Sequence, residues 1–117
     1  MFTNQLTTLV NDTDSALGAA VVSADGIVVD LVSSSPTLTP ESGLADHGMV
    51  IQQLSALNRE FPMGESICCR IRTADRLTLL RRVGEYYFLA LWLDTTASAD
   101  KAAFRLRLTA SEIQAAI

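Results

Sequence analysis

The sequence predicts an α+β domain, on three observations. An Asp25-Gly26 turn joins two apolar runs, three strand-like runs follow one another between Ser66 and Asp94, and helical periodicity fills the remaining stretches. At 117 residues, with 49% hydrophobic residues, 3 Pro and 6 Gly, the chain is read as one domain over residues 1–117 with a single core.

Phe2, Leu6, Leu9 and Val10 fall at i, i+4, i+7 and i+8, one face of a short amphipathic helix ending near Asp14-Ser15. Leu17–Ser23 is apolar on both faces, as a central strand is, and Ile27–Val32 follows across Ala24-Asp25-Gly26. Gly26 supplies the positive φ that such a hairpin turn requires. Ser33–Thr39 reads as a loop. Thr39 suits an N-cap, Pro40 the first helical position and Glu41 the positive end of the helix dipole, so a helix runs from about Pro40 to Asn58.

Projected at about 100° per residue, Leu44, Val50, Ile51, Leu54 and Leu57 of this middle helix share one arc wide enough to cover a sheet. Ala45, Gly48, Met49, Ser55 and Ala56, flanked by Gln52 and Arg59, form a second face of mostly small residues. Such a face suits close packing against a helix of a second subunit, and equally an ordinary solvated side. His47 projects into the apolar arc, as a core or interface histidine rather than a ligand.

Ser66–Thr73 alternates, with Ile67, Cys69 and Ile71 on one face and Ser66, Arg70 and Arg72 on the other. Leu77–Val83 follows after Ala74-Asp75, and Tyr86–Leu93 after Gly84-Glu85, giving a three-stranded antiparallel meander. Phe88, Ala90 and Trp92 share one face of the last strand. A closing helix starts near Ser98-Ala99-Asp100; Ala103, Leu106, Ala110, Ile113 and Ile117 make its apolar face, with Phe104 and Leu108 beside them.

Chemistry-bearing patterns are few. Cys68 and Cys69 point to opposite faces of a strand and match no C-x-x-C spacing, so they read as apolar fillers in a reducing compartment. One His and no second ligand cluster argue against zinc, and no phosphate loop, nucleophile elbow or paired carboxylates point to an enzyme. No cofactor is expected. The longest apolar run, Tyr86–Leu93, is far short of the roughly 18 to 20 residues of a membrane span, and the N-terminus lacks the pattern of a secretory signal; a cytoplasmic protein without membrane attachment is expected.

Charge is polarised. Residues 1–58 hold six acids and neither Lys nor Arg, a balance of −6, whereas all nine basic residues lie from Arg59 onward, where the balance is +2. Arg70, Arg72, Arg76, Arg81 and Arg82 crowd the first hairpin of the meander. With a sequence pI near 4.7 and no RNA-type aromatic motif, nucleic acid is not the expected partner. A solvated arginine edge and an electrostatic patch for an acidic partner both remain open.

The order α-β-β-α-β-β-β-α, with Gly18–Val29 as first hairpin and Ser66–Thr73 followed by Glu85–Leu89 as strand-turn-strand, resembles the Roadblock/dynein light chain family. This is a profilin-like fold that includes bacterial cell-polarity regulators and GTPase scaffolds. The resemblance covers essentially the whole chain. It implies a five-stranded antiparallel sheet ordered 2-1-5-4-3, the middle helix on one face and the terminal helices on the other. It implies a homodimer joined through the middle helix and the third strand, which here places Ala45, Gly48, Met49, Gln52, Ser55, Ala56, Ile67 and Cys69 at the interface. It also implies a Ras-like small GTPase partner bound across the paired middle helices and no catalytic residue; the positive potential read from the Arg-rich hairpin beside them makes Arg59, Arg70, Arg72 and Arg76 the expected docking residues. The expected function is thus a non-enzymatic dimeric scaffold that modulates a GTPase; the alternative is a small-molecule sensor with a pocket between sheet and helices.

Overall fold

The computed structural model describes residues 1–23, 27–34 and 68–117. A helix over Thr3–Asp12 precedes the strands β1 (Ala16–Ser23), β2 (Val28–Ser33), β3 (Cys68–Arg72), β4 (Leu77–Val83) and β5 (Tyr87–Leu93), and a C-terminal helix over Ala99–Ala116 closes the chain. All strand pairs are antiparallel and the order is β2-β1-β5-β4-β3, as the family resemblance implies. The expected middle helix and the Ala24–Gly26 turn lie outside the described residues.

The strand order follows from which runs tolerate burial on both faces. β5 places Leu89, Leu91 and Leu93 on one side and Phe88, Ala90 and Trp92 on the other, all buried, and it sits at the centre. β1 does the same beside it with Ala19 and Val21 against Ala20 and Val22. β3 alternates between exposed and half-buried positions and takes an edge.

Both terminal helices pack on one face. Phe2, Leu6, Leu9 and Val10 of the first meet Leu106, Ala110 and Ile113 of the second above Leu79, Leu89 and Leu91. The first helix has no side-chain cap of its own. Asp30 of β2 supplies the acceptor instead: the Phe2 N–H donates to its Oδ2 at 2.7 Å and the Met1 amine lies 3.3 Å from the same atom. These contacts hold the Asp30 carboxyl below the ordinary range, the Phe2 bond contributing most, against an opposing effect of burial. At the second helix the Ser98 hydroxyl accepts the Lys101 N–H at 3.4 Å, as its N-cap position predicts.

Three local readings need correction. Ile27 lies outside β2 and is exposed, because Ser23 closes the hairpin onto it: the Ser23 N–H donates to the Ile27 carbonyl at 2.8 Å and the Ile27 N–H to Ser23 Oγ at 3.1 Å. The β4–β5 loop is Gly84-Glu85-Tyr86, since Val83 pairs with Tyr87, and Gly84 takes φ +64°. Phe104 and Leu108 face away from the core. They lie two positions either side of Leu106, about 200° around the helix from the buried stripe.

Candidate functional site

The sequence reading places its candidate site where β3 meets the middle helix. Of the interface residues, Ala45, Gly48, Met49, Gln52, Ser55, Ala56 and Ile67 lie outside the described residues, as do Arg59 and His47. Cys69 is described: it is half-buried and packs with Ile71 against the cluster of Leu80, Phe88 and Trp92. Burial pushes its thiol up, with the neighbouring Cys68 adding to the effect, so the thiolate that a nucleophile needs is disfavoured. Cys68 is exposed on the opposite side, as alternation requires.

β3 is an outer strand with no strand partner on its free edge among the described residues. Such an edge presents unpaired backbone groups that a second chain can complete. The strand pairs with β4 from Cys68↔Arg81 to Arg72↔Leu77, so Arg70 and Arg72 stand opposite Leu79 and Leu77 on the terminal-helix face. There Arg70 Nη2 reaches Asp100 Oδ1 at 3.2 Å and Arg72 Nη1 donates to the Thr95 carbonyl at 3.3 Å. Arg76 sits at the hairpin turn, which Thr73 braces by accepting the Asp75 and Arg76 N–H groups on Oγ1 at 3.3 and 3.2 Å.

The arginines therefore do not form one patch. Arg82 faces the other way, 5.3 Å from the Phe88 ring centroid, and donates through Nη1 to the Glu85 carbonyl at 3.3 Å. Arg81 lines a shallow cleft with Ser111 and Gln114 of the C-terminal helix. Alternation alone separates Arg82 from Arg70 and Arg72, but Asp100 and Thr95 as their partners are visible only once the helix is docked. Among the described residues no group of three or more His, Cys, Asp or Glu side chains is placed to hold a metal ion. No helix among them is long and apolar enough to cross a membrane.

A five-stranded 2-1-5-4-3 sheet with the two chain-terminal helices on one face is the profilin-like architecture of Roadblock domains, and this chain has it. Along 99% of its length it is similar to MglC from Myxococcus xanthus, at 27% identity, 98% coverage of that chain and a TM-score of 0.72. It is likewise similar to a Roadblock/LC7 domain from Streptomyces avermitilis, at 17% identity, 94% and 92% coverage and a TM-score of 0.78. The gliding protein MglB from Thermus thermophilus matches at 17% identity, 96% and 84% coverage and a TM-score of 0.80. No family model and no curated protein matches the chain. The resemblance drawn from Gly18–Val29 and Ser66–Thr73 is borne out.

Proposed function

We propose that this protein is a non-enzymatic, cytoplasmic, dimeric scaffold that binds a Ras-like small GTPase and biases its nucleotide cycle. The observation that carries the reading is the full-length similarity to MglC at 27% identity, together with the likeness to a gliding protein, MglB. The free edge of β3 supports the assembly: two copies joined there would extend the sheet across a two-fold axis. Cys69 and Ile67 would lie along that seam, with Ala45, Gly48, Met49, Gln52, Ser55 and Ala56 on the paired middle helices.

A scaffold shifts a switch only by binding one of its states more tightly. Any rate effect then comes from reshaping the switch loops of the GTPase, since an arginine held in a strand is poorly placed to reach a γ-phosphate. Arg70 and Arg72, already engaged with Asp100 and Thr95, contribute positive potential at the sheet edge rather than new contacts, with Arg76 at the adjoining turn; Arg59, outside the described residues, is a docking candidate on sequence alone.

Sedimentation tests the assembly. The parent should run as a dimer and Gly48→Arg as a folded monomer; a monomeric parent removes this interface. Pull-down from the native extract tests the partner: a GTPase recovered preferentially in one nucleotide state supports the reading. Recovery of none in either state, with a tightly bound metabolite instead, favours the sensor alternative.

A further inference from the structure

The outer edge of β3 has no strand partner among the described residues, and its side chains divide between the two sheet faces. Cys68, Arg70 and Arg72 stand exposed on the terminal-helix face, and Cys69 and Ile71 are half-buried on the other, against Leu80, Phe88 and Trp92. A two-fold axis normal to the sheet sets two such edges antiparallel, with directly opposite side chains on the same face. The axis then passes through one residue of the strand, which faces its own symmetry mate. The alternating run of the sequence, Ser66–Thr73, overlaps itself best in two registers: over residues 66–72 when centred on Cys69, and over residues 67–73 when centred on Arg70.

The two registers differ in what meets what. Centred on Arg70, the two Arg70 side chains stand directly opposite each other, a like-charge pair that destabilises a ladder. Asp100 offsets it little, because its side chain is 91% exposed and its pair with Arg70 is screened by solvent. On the other face Ile67 would meet the polar Thr73. Centred on Cys69, Arg70 stands opposite Cys68 and Arg72 opposite Ser66, neutral residues that leave the guanidiniums to Asp100 and the Thr95 carbonyl of their own chain. Cys69 then meets Cys69 and Ile71 meets Ile67, so the other face of the seam is apolar throughout. We infer, resting on the dimeric reading proposed above, that two copies of this chain join β3 to β3 in the register that sets Cys69 opposite its own mate.

Oxidative cross-linking reads this register. Directly opposite Cα atoms lie about 4.5–5.5 Å apart, within disulfide reach, whereas residue 68 and its mate, and residue 70 and its mate, would stand diagonal at about 7–8 Å, at or beyond the limit. Copper(II)–phenanthroline is the oxidant, taking two electrons as two thiols release two protons and form the S–S bond. Cys68→Ser, which keeps only Cys69, should give a covalent dimer on a non-reducing gel. Cys69→Ser, which keeps only Cys68, should not, and neither should Arg70→Cys made in a chain with both native cysteines replaced by serine. Cys68 and Arg70 are exposed, so Cys68→Ser leaves the fold intact, and circular dichroism checks the variants that lack Cys69. Sedimentation of the reduced proteins separates the two readings. Monomers overturn the dimer itself; dimers that cross-link through Cys68, through Arg70→Cys, or in none of the three proteins overturn the register alone.

Discussion

Replacing Trp92 by alanine removes the largest side chain of the sheet face that carries Ala20, Val22, Leu80 and Phe88. Trp92 is 1% exposed. Withdrawing about 200 Å² of aromatic surface from water at about 25 cal/mol per Å² gives ~5 kcal/mol, an upper value because the unfolded chain hides part of it. Truncation of buried aromatics costs about 3–5 kcal/mol. The register argues for the upper part of that range: Trp92 stands opposite Gly18 on β1 and Thr78 on β4, neither large enough to collapse into the space. Ordinary domains are stable by about 5–15 kcal/mol, so the variant should fold marginally or not at all. Guanidinium unfolding followed by far-ultraviolet circular dichroism is the suitable assay, because the substitution removes the only tryptophan. At about 3 kcal/mol per molar, the midpoint should fall by roughly 1 M or more. A midpoint unchanged within about 0.2 M would mean that Trp92 does not fill this face, and the sheet register would have to be redrawn. Phe104→Ala, on the exposed side of the C-terminal helix, is the matched control and should stay within about 0.5 kcal/mol of the parent.

Gly84→Ala should destabilise by about 1–2 kcal/mol, since Gly84 holds φ +64° and an added Cβ would lie 3.3 Å from Ile117 Cδ1. Trimming Ile117 to alanine in that background should recover only the steric part; recovery to parental stability would show that the backbone strain is absent. Asp30→Asn should lower stability at neutral pH. The folded-state carboxyl titrates below its unfolded counterpart, so its contribution is present above about pH 4 and disappears as the pH falls through the lower folded value. Stability curves of parent and variant should therefore converge in acid, and a gap that persists at low pH would assign the loss to packing instead.

The strand order is legible only through the family resemblance, and the burial of the strands shows why it holds. The unbroken apolar run of β5 and the two-faced apolar run of β1 demand neighbours on both sides, and the polar alternation of β3 demands an edge. Phe104 and Leu108 are misread when apolarity is counted before angle: Leu106, Ala110 and Ile113 fix the buried direction, and positions two away from Leu106 cannot share it. Asp30 as the acceptor for the Phe2 N–H is not legible, because it joins residues 28 positions apart and follows no local pattern. The same holds for Arg70 and Asp100, 30 positions apart. The residues expected on the middle helix, Gly48 and Ser55 among them, lie outside the described residues, so that half of the candidate site rests on the spacing of Ala45, Gly48, Ser55 and Ala56.

The proposed function requires that this protein distinguish the two nucleotide states of a small GTPase. Titration calorimetry of the purified protein with a Ras-like GTPase from its own cell, loaded with GDP or with a non-hydrolysable GTP analogue, measures it directly. One bound state should be favoured by at least tenfold, about 1.4 kcal/mol, with no heat from either nucleotide added to the protein alone. Equal affinity for both states, or binding of free nucleotide by the scaffold itself, would contradict it.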